Sequence, residues 1–187
     1  MNRTARWLIL VPLLCASVVG CVPEERGTMA APLAEAPYVL GSGDRLRVTV
    51  FNQPNLSGSY SVDAAGMITL PLVGAIPADG RSPGQMKSAI EARLRKEFLR
   101  DPNVSVEIES YRPFFIFGEV VQSGQFPYVA GMTAEQAIAI AGGYSPRGRR
   151  GPVQLARRDG ASVVRVMVPL TTLVRPGDTL FVQERWF

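Results

Sequence analysis

Residues 38–50 read YVLGSGDRLRVTV, and this stretch carries the clearest secondary-structure signal in the chain. Residues 46–50 alternate apolar and polar side chains, which is typical of a strand with one face in a core. The Gly43-Asp44 pair in front of them predicts a tight turn, because glycine tolerates positive φ and aspartate accepts hydrogen bonds from nearby amides. The same order returns at Gly177-Asp178, before a second predicted strand. We interpret the repeat as a reused strand entry rather than a carboxylate site.

Two helices are predicted outside this stretch. Ser82 and Gln85 fit a capping box, and a second box at Thr133 and Gln136 precedes a short helix over 134–141. The first helix has one apolar stripe that recurs every four residues: Met86, Ile90, Leu94 and Phe98. The two helices are far apart in the chain, so each is expected to lie on strands of its own.

Further strands are predicted around both helices. We expect 60–62 and 67–70 to form a hairpin around the turn at 63–66, and 114–121 to be an apolar strand buried on both faces. The remaining predicted strands are 104–108, 126–129, 153–157, 163–168 and 179–183. The fold class is therefore α+β, with two small mixed domains, each carrying one main helix on short strands.

We place the domain boundary near Tyr111-Arg112-Pro113, which gives one domain at 38–110 and a second at 111–187. Domains of this size have marginal cores, so each is expected to pack against the other or against neighbouring copies. The organisation predicted from the N-terminus is a signal peptide at 1–20, a lipidated N-terminus and tether at 21–37, and then the two domains.

Composition excludes several kinds of chemistry. The chain has no histidine, which rules out Ser-His and Cys-His catalysis and histidine-ligated metals. Its two cysteines, Cys15 and Cys21, both lie near the N-terminus, so the body has no thiolate nucleophile and no disulfide. No two carboxylates have a spacing that suggests a glycosidase pair. We therefore predict that the chain is no enzyme and uses no cofactor or metal. Its net charge of +4 includes Arg3 and Arg6 and is too small to indicate a nucleic-acid partner.

The N-terminus is predicted to carry a secretion signal. Arg3 and Arg6 precede an apolar run over 7–19, which is too short to span a bilayer and fits the core of a signal peptide. The run ends at Gly20-Cys21, which resembles the lipobox of bacterial lipoproteins. The resemblance implies that Cys21 is lipidated, and Val22 after it implies the outer membrane, facing the periplasm. An ordinary signal peptide with an incidental cysteine, or a weak membrane anchor, is the alternative.

The body resembles two known domains in order. The first domain is similar to the polysaccharide biosynthesis/export domain in four stretches: 38–46, 62–68, 70–74 and 101–106. The second resembles an SLBB domain, a β-grasp-like fold, in residues that include 118–120, 124, 126, 131–133, 137–138 and 141–143. The resemblance covers nearly the whole mature chain.

The resemblance implies a ring of identical subunits, lipid-anchored at the outer membrane, which forms an export conduit for capsule or exopolysaccharide. Its implied partners are the polysaccharide and an inner-membrane polysaccharide co-polymerase. The best-known members carry further SLBB-type domains and a C-terminal pore helix, whereas this sequence stops at Trp186-Phe187 after a strand. It therefore resembles a short form without the pore helix. These two aromatic residues are expected either to pack on a neighbour or on a membrane protein, or to close the second core.

Two charged features are candidate contact sites. An arginine cluster in the second domain is predicted to contact an acidic polysaccharide or an acidic face of a partner. Its members are Arg147, Arg149, Arg150, Arg157 and Arg158, with Arg165 nearby. A solvated loop and strand face is the alternative. Glu119, in an apolar stretch, is expected to pair with an arginine or with backbone amides, or else to be a buried carboxylate of raised pKa.

Three functions remain open on the sequence alone. The first is a conduit or scaffold subunit for polysaccharide export. The second is a glycan-binding or sensing lipoprotein, in which the SLBB-like domain holds a sugar. The third is a polysaccharide-modifying enzyme, which the lack of histidine and of a nucleophile motif disfavours.

Overall fold

A computed structural model describes residues 37–160 and 162–186. The predicted signal peptide, Cys21, nearly all of the tether and Phe187 lie outside the described residues. The described residues form an α+β fold with two hydrophobic cores, which confirms the predicted fold class. One core is built from residues between 40 and 104, and the other from residues between 114 and 182. We call these two parts the first and second units.

The elements follow one another closely along the chain. The first unit contains β1 (Arg45–Val50), a 3-10 turn (Pro54–Leu56), β2 (Gly58–Ser61), β3 (Met67–Leu70), β4 (Gly74–Pro77), α1 (Pro83–Glu97) and β5 (Val104–Ser110). The second unit contains β6 (Phe114–Gly118), β7 (Gly124–Phe126), α2 (Ala134–Ile140), β8 (Val153–Asp159), β9 (Ser162–Val168) and β10 (Thr179–Val182).

The first unit has an antiparallel sheet in the order β2-β1-β5, a β3-β4 hairpin and α1 packed on β5. Both predicted capping boxes are present, at Ser82 with Gln85 and at Thr133 with Gln136. Three residues of the apolar stripe on α1 are fully buried: Met86, Ile90 and Leu94. The prediction is wrong for Phe98, which is 41% exposed. Its φ of −128° places it outside the helical repeat, because it is the residue that ends the helix.

The predicted hairpin of 60–62 with 67–70 is also wrong. A turn does form there, because the Asp63 amide donates to the Met67 carbonyl at 2.9 Å. However, β2 pairs with β1, and β3 pairs with β4. The Asp63 carboxylate accepts two backbone amides within this turn, so the local signal is satisfied without joining the flanking strands into one ladder.

The second unit has one five-stranded sheet in the order β7-β6-β10-β8-β9, in which β6 and β10 run parallel. One face of β6 buries Phe114 and Ile116 in the second core. Phe117 on the other face is 45% exposed, so the predicted burial of both faces is wrong. Among the described residues only one face of this sheet is covered, and β6 already ends at Gly118, whose φ is +89°.

Neither helix in the described part of the chain has the length and apolar character needed to cross a membrane.

Candidate functional site

Asp44 is a buried carboxylate at the entry to β1. Its Oδ2 accepts the Gly41 amide at 2.8 Å and the Tyr38 hydroxyl, and its Oδ1 accepts the Arg112 amide at 2.8 Å. The Arg112 guanidinium adds an ion pair, with Nη1 at 3.1 Å from Oδ2. A fully buried carboxylate is stable when it is hydrogen-bonded and paired, and Asp44 meets both conditions.

Asp178 has the same arrangement at the entry to β10. Its Oδ2 accepts the Arg175 amide at 2.7 Å, from a residue three positions earlier, as Asp44 does from Gly41. Arg157 then forms a bidentate pair, with Nε at 2.9 Å from Oδ1 and Nη2 at 2.6 Å from Oδ2. In the described part of the chain, Asp44 and Asp178 are the buried charged residues. Both have the predicted turn role, and each has an arginine partner that the sequence did not predict.

Arg112 lies at the seam between the two units. It joins Asp44 of the first unit to the Pro176 carbonyl of the second, which accepts from Nε at 3.1 Å. Two glycines make room for it: a Cβ on Gly41 would lie 2.3 Å from Nη1, and a Cβ on Gly177 would lie 2.9 Å from Nε. The arginine therefore holds the two units together only because both backbones lack side chains where it passes.

Tyrosines complete the seam. The Tyr38 hydroxyl also accepts from Arg112 Nη1 at 3.2 Å, and the guanidinium lies 5.6 Å from the centre of its ring. Burial raises the pKa of Tyr38, and its hydrogen bond to Asp44 adds to the effect, so the hydroxyl stays protonated as a donor. Tyr111 stands edge-to-face between Tyr38 and Tyr128, at centroid distances of 5.1 and 5.2 Å.

An open cleft of about 1070 Å³ lies along this seam. The first unit contributes Tyr38, Ser42 and the turn around Ala64, and the second unit contributes Tyr128 and the loop 171–178. Four arginines also line it: Arg112, Arg157, Arg158 and Arg175. Clefts between two packed units are common places for ligand sites. Sequence analysis gave no signal for this cleft, because its walls come from segments that are distant in the chain.

The predicted arginine cluster divides into two groups. Arg147, Arg149 and Arg150 lie on the loop after α2, and all three are exposed. This loop runs beside the segment after β10, since the Arg149 amide donates to the Gln183 carbonyl and the Arg185 amide to the Arg147 carbonyl, each at 2.9 Å. The Arg149 guanidinium also donates to Gln183 Oε1 at 3.3 Å.

The other group lies on β8, at the cleft. Arg157 has only 13% of its side chain exposed and binds Asp178 and the Leu173 carbonyl. The Arg157 guanidinium is therefore paired within the protein, unlike an arginine that serves only as a surface contact. The Arg158 side chain is exposed and forms no hydrogen bond or ion pair within the described residues. Arg165 is exposed on β9, where it pairs in register with Ala156.

Glu119 pairs with an arginine, as predicted. Its carboxylate lies 3.6 Å from Arg147 Nη2 and accepts the Ser145 hydroxyl. The residue follows Gly118 and so lies outside the strand, which leaves its side chain 22% exposed rather than enclosed. Arg147 also lies 3.6 Å from Glu184, so these ion pairs fix the loop against the segment after β10. The arrangement braces the second unit.

Aromatic side chains lie on the face of the second unit's sheet against which no described element packs. Phe115, Phe117 and Phe181, which we call the outer sheet face, point away from the second core. The rings of Phe115 and Phe117 lie nearly parallel, 6.4 Å apart. Trp186 is 93% exposed, so the expectation that it closes the second core is wrong for this residue. Contiguous exposed apolar surface of this kind is a candidate for an interaction surface.

Comparison with known proteins identifies both units. The model of the polysaccharide biosynthesis/export protein family matches residues 32–109, and that of the SLBB domain matches residues 113–166. The exopolysaccharide production protein ExoF of Rhizobium meliloti is 34% identical over 160 residues, which cover 78% of this chain and 38% of ExoF.

Two further relatives are export or transport proteins by name. The EPS I polysaccharide export outer membrane protein EpsA of Ralstonia solanacearum is 28% identical, over 88% of this chain and 52% of its own length. The polysialic acid transport protein KpsD of Escherichia coli is 25% identical, over 58% of this chain and 20% of its own. The chain thus spans about half or less of the length of these curated relatives. With an export domain followed by an SLBB domain, it belongs to the polysaccharide biosynthesis/export family.

Proposed function

We propose that this chain is a subunit of a capsule or exopolysaccharide export conduit. It acts as a lipoprotein anchored through Cys21 in the outer membrane, faces the periplasm, and works with an inner-membrane polysaccharide co-polymerase. The observation that carries the proposal is the order of an export domain and an SLBB domain in one chain. The names of the matched relatives refer to production, export or transport of polysaccharide, so a non-catalytic role is the one they support.

A fixed seam supports a role as a building block. Arg112 links the two units through Asp44 and Pro176, and the edge-to-face rings of Tyr38 and Tyr111 pack beside it. A subunit that stacks into a ring or scaffold needs a defined angle between its parts, since small angular errors accumulate around a closed assembly. The seam supplies such a constraint.

The outer sheet face supports self-association. Phe117 and Phe181 lie side by side in the parallel register of β6 and β10, and both are nearly half exposed. Burying them against another copy would remove apolar surface from water. This would stabilise the contact by about 25 cal/mol for each Å² of apolar surface buried. We propose this face as part of the contact between identical subunits in the assembly.

The loop arginines support a contact with an acidic polymer or partner. Arg149 and Arg150 are exposed, and Arg147 is fixed beside them by its carboxylate partners. Guanidinium groups suit carboxylates because their paired N–H donors match the two oxygens. Of the five arginines in the predicted cluster, these three form the proposed contact on the surface outside the cleft.

Export is tested in cells. The gene is deleted, and surface polysaccharide is compared with that of strains complemented with the wild type and with Cys21→Ala. We expect deletion to abolish surface polymer and Cys21→Ala to reduce it strongly, because several acyl chains are needed for durable anchoring. Normal surface polymer in the deletion strain would contradict the export function.

Assembly is tested on purified protein by light scattering after size exclusion. The double variant Phe117→Ser, Phe181→Ser should lower the oligomer mass. Phe51→Ser is the matched control, because Phe51 is exposed to 68% on the first unit. An unchanged mass in the double variant would remove the outer sheet face from the subunit contact.

The cleft favours a second candidate, a glycan-binding or sensing lipoprotein. A stable monomer that binds an oligosaccharide tightly would support this function over a conduit, since passage of a polymer is better served by weak contacts at many sites.

A further inference from the structure

Arg112 and Arg157, the two arginines that brace the cleft, each have N–H donors that are not used within the described structure. Arg112 uses Nε and Nη1 on Pro176, Tyr38 and Asp44, and its Nη2 has no partner among the described residues. Arg157 uses Nε and Nη2 on Asp178 and Leu173, and its Nη1 has none. Each free nitrogen carries two N–H groups. Neither nitrogen is among the described side-chain nitrogens and oxygens that are fully buried without a hydrogen bond, so each keeps some contact with solvent.

Both guanidiniums are already fixed in position. An arginine normally loses side-chain entropy when it binds a ligand, and this loss weakens binding. Here Asp44 and Asp178 have already ordered the two side chains, whose exposed fractions are 26% and 13%. The free N–H groups are therefore pre-organised donors, of the kind that recognises a carboxylate or a pair of hydroxyl oxygens.

The charge of the lining favours an anion. Four arginines line the cleft, namely Arg112, Arg157, Arg158 and Arg175, against two aspartates, Asp79 and Asp178. Asp44 lies behind Arg112 and reduces the excess to one positive charge. Arg158 adds a charge that forms no ion pair with any other described residue, so it is available to a ligand.

The size and the remaining lining favour a saccharide. The volume of about 1070 Å³ is at the upper end of ligand pockets, which suits several sugar rings rather than one small ion. Tyr38 and Tyr128 offer half-buried aromatic surface, and Ser42, Thr171 and Thr172 offer hydroxyls. Such a mixture of flat apolar and hydrogen-bonding groups matches the two kinds of surface on a pyranose ring.

We propose that the cleft between the two units binds a short segment of an acidic saccharide, with its carboxylates on Arg158 and on the free nitrogens of Arg112 and Arg157. The inference rests on the proposed function for the source of the saccharide, which is the exported polymer, and it adds a binding site apart from the loop arginines.

Calorimetric titration of the full mature chain in detergent tests the site. The probes are tetra- to hexameric oligogalacturonides, with maltohexaose as the neutral control. We expect the wild type to bind the acidic probe and not the neutral one. Arg158→Gln should weaken binding roughly tenfold, the effect of losing about one charged contact. Arg93→Gln, an exposed arginine on α1, is the matched control and should bind as the wild type does.

A blocking variant keeps the test independent of the bracing arginines. Ala64 is exposed at the cleft wall, so Ala64→Trp should fill the space without touching Asp44 or Arg112. Circular dichroism checks its fold, and binding should be lost. Three results would each overturn the site: no binding by the wild type, equal binding of maltohexaose, or unchanged binding by Ala64→Trp.

The two proposals fail separately. If deletion of the gene stops export but the purified wild type ignores oligogalacturonides, the cleft proposal fails and the export function stands. If deletion leaves export normal while the cleft variants lose binding, the export function fails and the site stands.

Discussion

The turns at Gly43-Asp44 and Gly177-Asp178 are alike in sequence and in local structure, yet their aspartates bind arginines from different parts of the chain. Asp178 pairs with Arg157, which belongs to the same unit and lies on a neighbouring strand. Asp44 pairs with Arg112, which lies at the junction with the second unit. One local motif thus braces a single core in one place and joins two units in the other.

The number of hydrogen bonds differs as well. Without its arginine side chain, Asp44 would keep the amides of Gly41 and Arg112 and the hydroxyl of Tyr38. Among the described residues, Asp178 would keep the Arg175 amide alone. The free-energy cost of burying a carboxylate rises as it loses hydrogen-bond donors. The second turn should therefore depend more strongly on its arginine than the first.

The largest expected effect is that of Arg157→Ala. It removes the bidentate partner of a buried carboxylate, and we expect a loss of about 3–5 kcal/mol in the free energy of unfolding. Urea denaturation followed by circular dichroism measures it. A loss under about 1 kcal/mol would show that Asp178 does not need its ion pair.

Arg112→Ala should cost less, about 1.5–3 kcal/mol, because Asp44 keeps three donors. Its distinctive result should be a looser angle between the units, seen as a larger radius of gyration by small-angle X-ray scattering. An unchanged scattering profile would show that other contacts hold the seam, and a cost above that of Arg157→Ala would reverse the comparison.

Gly177→Ala tests the space for Arg112 with a matched control. Gly177 and Gly80 both have left-handed φ, of +85° and +75°, so alanine is strained at either position. Only at Gly177 would the new Cβ also meet Arg112 Nε, at 2.9 Å. We expect Gly177→Ala to destabilise by about 1–2 kcal/mol more than Gly80→Ala in thermal unfolding. Equal losses would mean that the arginine shifts without cost.

The smallest effect at neutral pH should come from Tyr38→Phe, which removes one donor of Asp44 at a cost of about 1 kcal/mol. Burial raises the pKa of Tyr38 above its ordinary value of about 10. Its contribution is therefore complete below pH 10 and falls as pH rises further, because only the unfolded chain then releases the proton. Stability of the wild type should fall more steeply above pH 10 than that of Tyr38→Phe. Parallel curves would contradict the shift.

Much of the fold could be predicted because its signals are local. The capping boxes at Ser82 and Thr133 each involve a residue three positions away, and the alternation in β1 needs no partner to be visible. The pairing of Glu119 with an arginine was also expected from its charge in an apolar stretch. The turn at 63–66 is a local signal of the same kind, but it led to a wrong prediction for the strand that pairs with β2. A turn does not determine which strand pairs with the strands on either side of it.

The sequence by itself determined the α+β class, both helix starts, the two Gly-Asp turns and the family, because these depend on residue order within short windows. Only the tertiary structure decided that Arg112 meets Asp44 across 68 positions, that Arg157 meets Asp178 across 21, and that a cleft opens between them. It also left Phe117 and Trp186 exposed. Ion pairs and exposure are set by the path of the whole chain, which brings distant residues together and leaves some faces uncovered.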